Sequence, residues 1–155
     1  MIDDEKFNKV RNKAEEEYKT IVEVHCPFLN AKVVFNAKGL EHIKFKKRDK
    51  ARVRQDQYMR LRLLPIAPKI LKASHTLQGF CATRNFEYEK SNRRWEYVLK
   101  NVCYFEFVAV ANHSRMKIVV KQVEDGPFFF WSIIPFWKMN KQKTRILHTG
   151  DPEHD

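Results

Sequence analysis

No apolar run in this chain approaches the roughly 20 residues that a helix needs to cross a bilayer. Its opening, MIDDEKFNKV, is acidic and polar where a secretory signal would be basic and then apolar. Cysteine is scarce. Cys26, Cys81 and Cys103 are widely spaced and never form a CxxC pair. That spacing argues against a disulfide framework and against a zinc site, so the expectation is reduced core thiols in a cytoplasm. The acidic residues form no cluster of the kind that holds magnesium. Neither a metal nor any other cofactor is therefore expected, and no membrane partner. No internal repeat is visible.

What the chain has in excess is positive charge. A net charge of +11 over 155 residues is large. It points to a polyanionic partner, nucleic acid ahead of an anionic membrane surface, with mere solubility as the plainer alternative. Hydrophobic content of 43% with 13% aromatics supports a folded chain with a real core. The expected organisation is one domain over 1–139 and a polar, mobile tail over 140–155.

Along the chain, helical spacing comes first. Phe7, Val10, Ala14, Tyr18 and Ile21 make one apolar stripe over 3–21, and Asp3, Asp4 and Glu5 suit its N-terminus. AKVVFN, at 31–36, is a short strand candidate, after which Asn36 can cap a short helix through His42. The stretch 44–54 is dense in basic residues and reads as a solvated loop. A second helix starts near Gln55, with a kink or a new helix at Pro65. After Ser74 the period changes to two. Strands are expected over 75–86, 95–111, 115–124 and 127–138, with turns at 89–94 and 112–114. The pattern predicts an α+β fold: N-terminal helices packed on a C-terminal antiparallel sheet of about four strands.

The last two strands carry the strongest signal. MKIVVKQVEDGPFFFWSIIPFW, at 116–137, brackets an Asp125-Gly126 turn, a strong hairpin signature. A tight turn there pairs Val123 with Phe128, Gln122 with Phe129, Lys121 with Phe130 and Val119 with Ser132. One face then holds Ile118, Val120, Gln122, Phe129, Trp131 and Ile133 as core. The more accessible face holds Lys117, Lys121 and Ser132, with Phe128 and Phe130 beside them. A basic and a hydroxyl side chain on neighbouring strands suit a phosphate-handling site. Exposed polar positions on a sheet are the plainer reading.

Other candidates follow from position. Among the six histidines, His42 alone lies on a short helix just before the basic stretch. Arg60 and Arg62 are two apart on the second helix, so one of them is expected to face the polar side of the sheet. Lys38, Lys44, Lys46, Lys47, Arg48 and Lys117 are candidate phosphate contacts. Phe128 and Phe130 are candidate stacking surfaces for bases, or else a second apolar layer. His42, Lys121 and Ser132 are all expected near the surface.

Three blocks, VVFNAKGLEHIKFK, RLRLLPIAPKIL and IVVKQVEDGPFFFWSIIPFW, lie in this order between 33 and 137. Together they resemble the phage-associated nucleases of the barnase–EndoU–colicin–RelE (BECR) superfamily. The matches are Phe35, Asn36, Lys38, Gly39 and His42, then Arg60, Leu63, Leu64 and Pro65, then Gln122, Gly126, Phe130, Trp131, Ser132, Ile134 and Pro135. The chain departs from that pattern at Lys121, where arginine is expected; lysine keeps the charge and loses the bidentate grip on phosphate.

The resemblance implies a metal-independent endoribonuclease, toxin-like or phage-related. In such an enzyme the ribose 2′-OH attacks phosphorus, the 5′-oxygen leaves, and a 2′,3′-cyclic phosphate remains. A histidine such as His42 titrates near the pH that acid–base work needs. Lys121 with Arg60 or Arg62 would stabilise the phosphorane oxygens, and Ser132 would donate to them. RNA is the implied partner, with an acidic inhibitor or antitoxin protein as a second. The competing reading is a non-catalytic RNA- or protein-binding module on the same fold.

Overall fold

The computed structural model describes residues 2–136 and 150–155. It is an α+β fold. Helices α1 (Asp4–Ile21), α2 (Ala37–Lys44), α3 (Arg54–Leu63) and α4 (Ala67–Lys72) come early, and four long strands come late. These are β5 (Gly79–Ser91), β6 (Arg94–Ala111), β7 (Ser114–Val123) and β8 (Phe128–Pro135). The sheet is larger than expected. Two short strands, β1 (Glu23–Cys26) and β2 (Ala31–Val34), extend it to six in the order β1-β2-β8-β7-β6-β5. All neighbours are antiparallel except β2 and β8, which run parallel. β8 therefore becomes an internal strand, which suits its continuous apolar run. No described helix is long and apolar enough to cross a membrane.

The local chemistry explains the helix ends. Asp3 caps α1 by accepting from Lys6 N at 2.7 Å, and Asn36 caps α2 by accepting from Gly39 N at 3.2 Å. Pro65 ends α3 in a short 3-10 turn, Leu64–Ile66, from which α4 starts afresh. Phe7, Ala14 and Tyr18 of α1, Leu61 of α3 and Leu71 of α4 bury against Phe107, Met116, Ile118, Val120, Phe130 and Ile133 of the sheet. A smaller cluster of Val102, Tyr104, Val119 and Ile134 forms beside it. The stretch expected as a solvated loop is a small hairpin, β3 (Phe45–Lys47) with β4 (Lys50–Ala51). The three thiols are free, and only Cys26 is fully buried.

Two features position the later site. Gly39 is where α2 approaches β8, and a Cβ there would stand 2.3 Å from the Phe130 carbonyl oxygen and 2.7 Å from the Tyr18 hydroxyl. Only glycine admits that approach. The second feature is a bulge in β8. Val119 pairs with Ser132 as the hairpin arithmetic predicts, yet Val120 pairs with Phe130 and Lys121 with Phe129. Trp131 is the extra residue. The expected pairings of Lys121 with Phe130, Gln122 with Phe129 and Val123 with Phe128 do not form. The connection is also longer than a two-residue turn, running 124–127 between the strand ends. Glu124 takes up φ 50° there, and its N–H donates to Asn101 O of β6 at 2.7 Å. Pro127 has no N–H with which to close the ladder beside the turn.

The bulge corrects the expected face assignment. Phe130 joins the main core at 0% exposure, so it is no stacking surface. Phe128 packs edge-on against Phe105, with centroids 5.5 Å apart. The face holding Lys121 and Ser132 is buried as well.

Candidate functional site

α2, α3, β7 and β8 bring His42, Arg60, Lys121 and Ser132 together. Arg60 of α3 donates from Nη1 to Ser132 Oγ at 2.8 Å and from Nε to Asp56 Oδ1 at 2.7 Å. Asp56 also receives Arg52 Nη1 at 3.5 Å. Arg52 turns back to α2, donating from Nε to the His42 carbonyl at 2.9 Å, and its Nη2 lies 3.0 Å from His42 Nε2. The imidazole stacks on the Trp131 indole with centroids 4.1 Å apart, and Lys121 Nζ lies 4.1 Å from that ring's centre. The expected surface location is wrong for all three residues: His42, Lys121 and Ser132 are 5%, 1% and 0% exposed.

One atom marks the focus of the site. The main-chain oxygen of Asp155 lies 2.8 Å from His42 Nε2, 2.9 Å from Arg52 Nη2 and 3.3 Å from Ser132 Oγ. Around it, Trp131 Nε1 donates to Pro152 O at 3.0 Å, and Lys121 Nζ donates to Glu153 Oε2 at 2.9 Å. The Tyr104 hydroxyl donates to the same Glu153 oxygen. On its other side Lys121 forms an ion pair with Glu87 Oε1 at 2.8 Å. That contact is coulombic and poorly aligned, since Oε1 has no hydrogen-bond partner among the described residues. The tail was expected to be mobile. Its residues 150–155 instead fold onto the site, while 140–149 lie outside the described residues.

Electrostatics follow from burial among cations. His42 is held well below the usual histidine pKa, first by burial and then by Arg52, against the upward pull of its contact with Asp155. At neutral pH it is an uncharged imidazole. Burial likewise lowers the pKa of the Lys121 ammonium against the pull of Glu87. Arg52 is pushed down to about 10, first by burial and then by Arg60, and stays cationic at neutral pH. Arg60 is fully buried, yet its Nη2 has no hydrogen-bond partner among the described residues. A donor set of this kind suits an anion with several acceptor oxygens.

A groove of about 630 Å³ opens beside His42 and Trp131. Lys38, Lys46, Lys47 and Arg48 line it, as the basic stretch suggested. Tyr88, Trp95 and Tyr97 of the long β5–β6 hairpin line it too. Trp95 stacks on Tyr88 at 5.1 Å, and the Arg48 guanidinium lies over the Tyr88 ring at 4.3 Å. Among the described residues, no three His, Cys, Asp or Glu side chains are grouped as metal ligands.

No family model matches the chain, and neither curated proteins nor solved structures give a significant match.

Some expected site residues stand elsewhere. Arg62 is exposed to solvent on the other side of α3 from buried Arg60. Lys44 turns to Glu15 of α1 at 3.1 Å, and Lys117 to Glu106 of β6 at 3.3 Å. The sequence reading did not single out Arg52, Asp56, Glu87, Glu153 or the aromatics of β5 and β6. One signal was available. Asp56 and Arg60 are spaced by four, which aligns them along one face of α3, and Arg52 stands four residues before Asp56 in the stretch that leads into the helix. Trp131 reaches the site only through the bulge, which the pattern of alternation conceals.

Proposed function

We propose that the protein is a metal-independent endoribonuclease that cleaves RNA by 2′-OH transesterification, leaving a 2′,3′-cyclic phosphate. The carrying observation is a neutral, buried His42 sharing one focus with Arg52 and Ser132, at the end of a basic, aromatic groove. In this reading a phosphate oxygen takes the place held by the Asp155 main-chain oxygen. His42 removes the proton from the ribose 2′-OH, which needs an uncharged imidazole. As the oxygen attacks phosphorus, the equatorial oxygens gain charge beside Arg52, Arg60 and Ser132, whose donors are already fixed by Asp56 and by packing. Lys121, made more acidic by burial, supplies the proton to the departing 5′-oxygen.

The groove favours RNA as the substrate. Single-stranded bases stack on aromatic rings while their phosphates meet cations. Trp95 and Tyr97 are 57% and 59% exposed, large apolar surfaces left open beside Lys46, Lys47 and Arg48. No metal enters the scheme, because the cations of the chain supply the charge. The BECR resemblance supports the same chemistry.

Lys121 supports the second reading, a non-catalytic RNA-binding module. It stands where the resemblance expects arginine, and two carboxyl groups, of Glu87 and Glu153, already engage it. Cleavage decides between the two. A single-stranded RNA should be cut in EDTA, with cyclic phosphate ends, and the same oligonucleotide lacking the 2′-OH at the cut site should survive. Cutting of that control, or unaltered activity in His42→Ala, would refute the mechanism.

A further inference from the structure

The chain is strongly basic, and its acidic stretch Asp151-Pro152-Glu153-His154-Asp155 lies on its most cationic site. The segment holds its own shape. The amides of His154 and Asp155 donate to Asp151 O at 3.2 and 2.9 Å, and Gly150 N donates to Asp155 Oδ2 at 3.0 Å. Its contacts with the body are polar and specific. Asp155 offers a main-chain oxygen to Arg52, His42 and Ser132, Glu153 offers a carboxyl to Lys121 and Tyr104, and Pro152 offers a carbonyl to Trp131. A segment serving only as structural cover would fill apolar space. This one places acceptor oxygens at the donors that a phosphodiester would need.

We infer that residues 150–155 are an intramolecular substrate mimic, which occupies the phosphate site and must leave before RNA enters. The inference rests on the proposed use of that site and adds its regulation. Asp155 O stands in for a non-bridging phosphate oxygen, and the Glu153 carboxyl places an acceptor oxygen where the strand would pass Lys121 and Tyr104. An acidic inhibitor is thereby supplied in cis. Affinity for RNA falls by the fraction of molecules in which the segment is undocked. A partner or an RNA strand that draws the segment away restores the site.

The test uses the full chain and a 2′-O-methyl oligoribonucleotide, which binds as RNA and has no free 2′-OH to react. Hydrogen exchange at the 150–155 amides reads docking directly. Saturating oligonucleotide, or inorganic phosphate at high concentration, should speed exchange there in the wild-type protein. Unchanged exchange with both probes would overturn the inference, and this arm needs no variant. Glu153→Arg places a cation against Lys121 and should expel the segment, tightening oligonucleotide binding about tenfold or more. Glu41→Arg adds positive charge in the same groove outside the segment and sets the purely electrostatic baseline. If Glu153→Arg frees the segment but binds no better than Glu41→Arg, the mimic reading fails. If phosphate or oligonucleotide displaces the segment while no RNA is ever cut, the inference stands and the nuclease reading falls.

Discussion

Asp56→Ala tests the site's electrostatic frame without reference to catalysis. Asp56 is 5% exposed and receives Arg60 Nε at 2.7 Å and Arg52 Nη1 at 3.5 Å, while both guanidinium side chains have no exposure at all. Removing the carboxylate leaves two like charges buried side by side without the group that bridges them. Breaking a buried pair by deleting one partner typically costs about 3–5 kcal/mol. Domains of this kind are stable by roughly 5–15 kcal/mol, so the loss is a large share of the total. With a urea m-value of about 2 kcal/mol/M, the unfolding midpoint should fall by about 2 M. The double variant Asp56→Ala/Arg60→Met removes a cation along with the anion, and should recover part of the loss. Sulfate should stabilise Asp56→Ala more than wild type by supplying a new anion. A cost below about 1 kcal/mol, the range of exposed pairs, would show that the two arginines are solvated and the frame is not as described.

His42→Ala should slow RNA cleavage by about 10²- to 10⁴-fold, and the acid limb of the wild-type kcat/KM profile should lie below pH 6.5, the ordinary histidine value; a limb at or above that value would contradict a buried neutral base. Because His42 resists protonation in the fold while the unfolded chain accepts it, its contribution to stability is present above the unfolded pKa and is lost as pH falls below about 6.5. Glu153 runs the other way: burial and Glu87 raise its carboxyl to about 8, so docking of residues 150–155 should be full at low pH and weaken as pH rises through that value. Tyr104, Lys121 and Glu87 face this carboxyl, and Glu153→Gln should remove the pH dependence of amide exchange there. Gly39→Ala should cost about 1–3 kcal/mol in urea unfolding, since its methyl group meets the Phe130 carbonyl and can be housed only by moving α2. Replacing Lys46, Lys47 and Arg48 with glutamine should flatten the salt dependence of single-strand binding by about 0.7 in log–log slope per lost phosphate contact.

Much of the fold was legible because it follows local rules. The stripe of Phe7, Ala14 and Tyr18, the Asn36 cap and the break at Pro65 are statements about adjacent residues, and all appear where the sequence puts them. The turns at Asn92-Arg93 and Asn112-His113 likewise fall inside the expected intervals, with both residues at positive φ in each. β1 was missed because its alternation, with Val24 and Cys26 buried, lasts only four residues and is too short a signal to stand out. β2 was expected as a strand, but nothing local says that it pairs with β8 across the chain. The candidate site divides the same way. Lys121 and Ser132 stand out as polar residues in apolar strands, and Arg60 rather than Arg62 is the one that faces them. Arg52 was lost among the surrounding charges, because composition cannot distinguish a solvated arginine from one folded back onto α2. The docking of Glu153 and Asp155 is a long-range event. Only the contrast between an acidic tail and a basic chain hints at it.

The β8 bulge gives that strand a tolerance for substitution different from its tolerance for changes in length. With Trp131 as the extra residue, Phe130 and Ile133 both reach the core cluster, while Trp131 and Ser132 both reach the site. Strict alternation would place Phe130 and Ile133 on opposite faces. Exchanging one residue between 129 and 133 alters one contact. Removing Trp131 would restore regular pairing, with Phe130 and Ser132 keeping their partners and faces, and would delete the indole that stacks on His42. The Ser132 hydroxyl would still meet Arg60, while His42 and Lys121 would lose the ring that both contact. The extra residue between Gly39's contact on Phe130 and Ser132 is thus itself a part of the site.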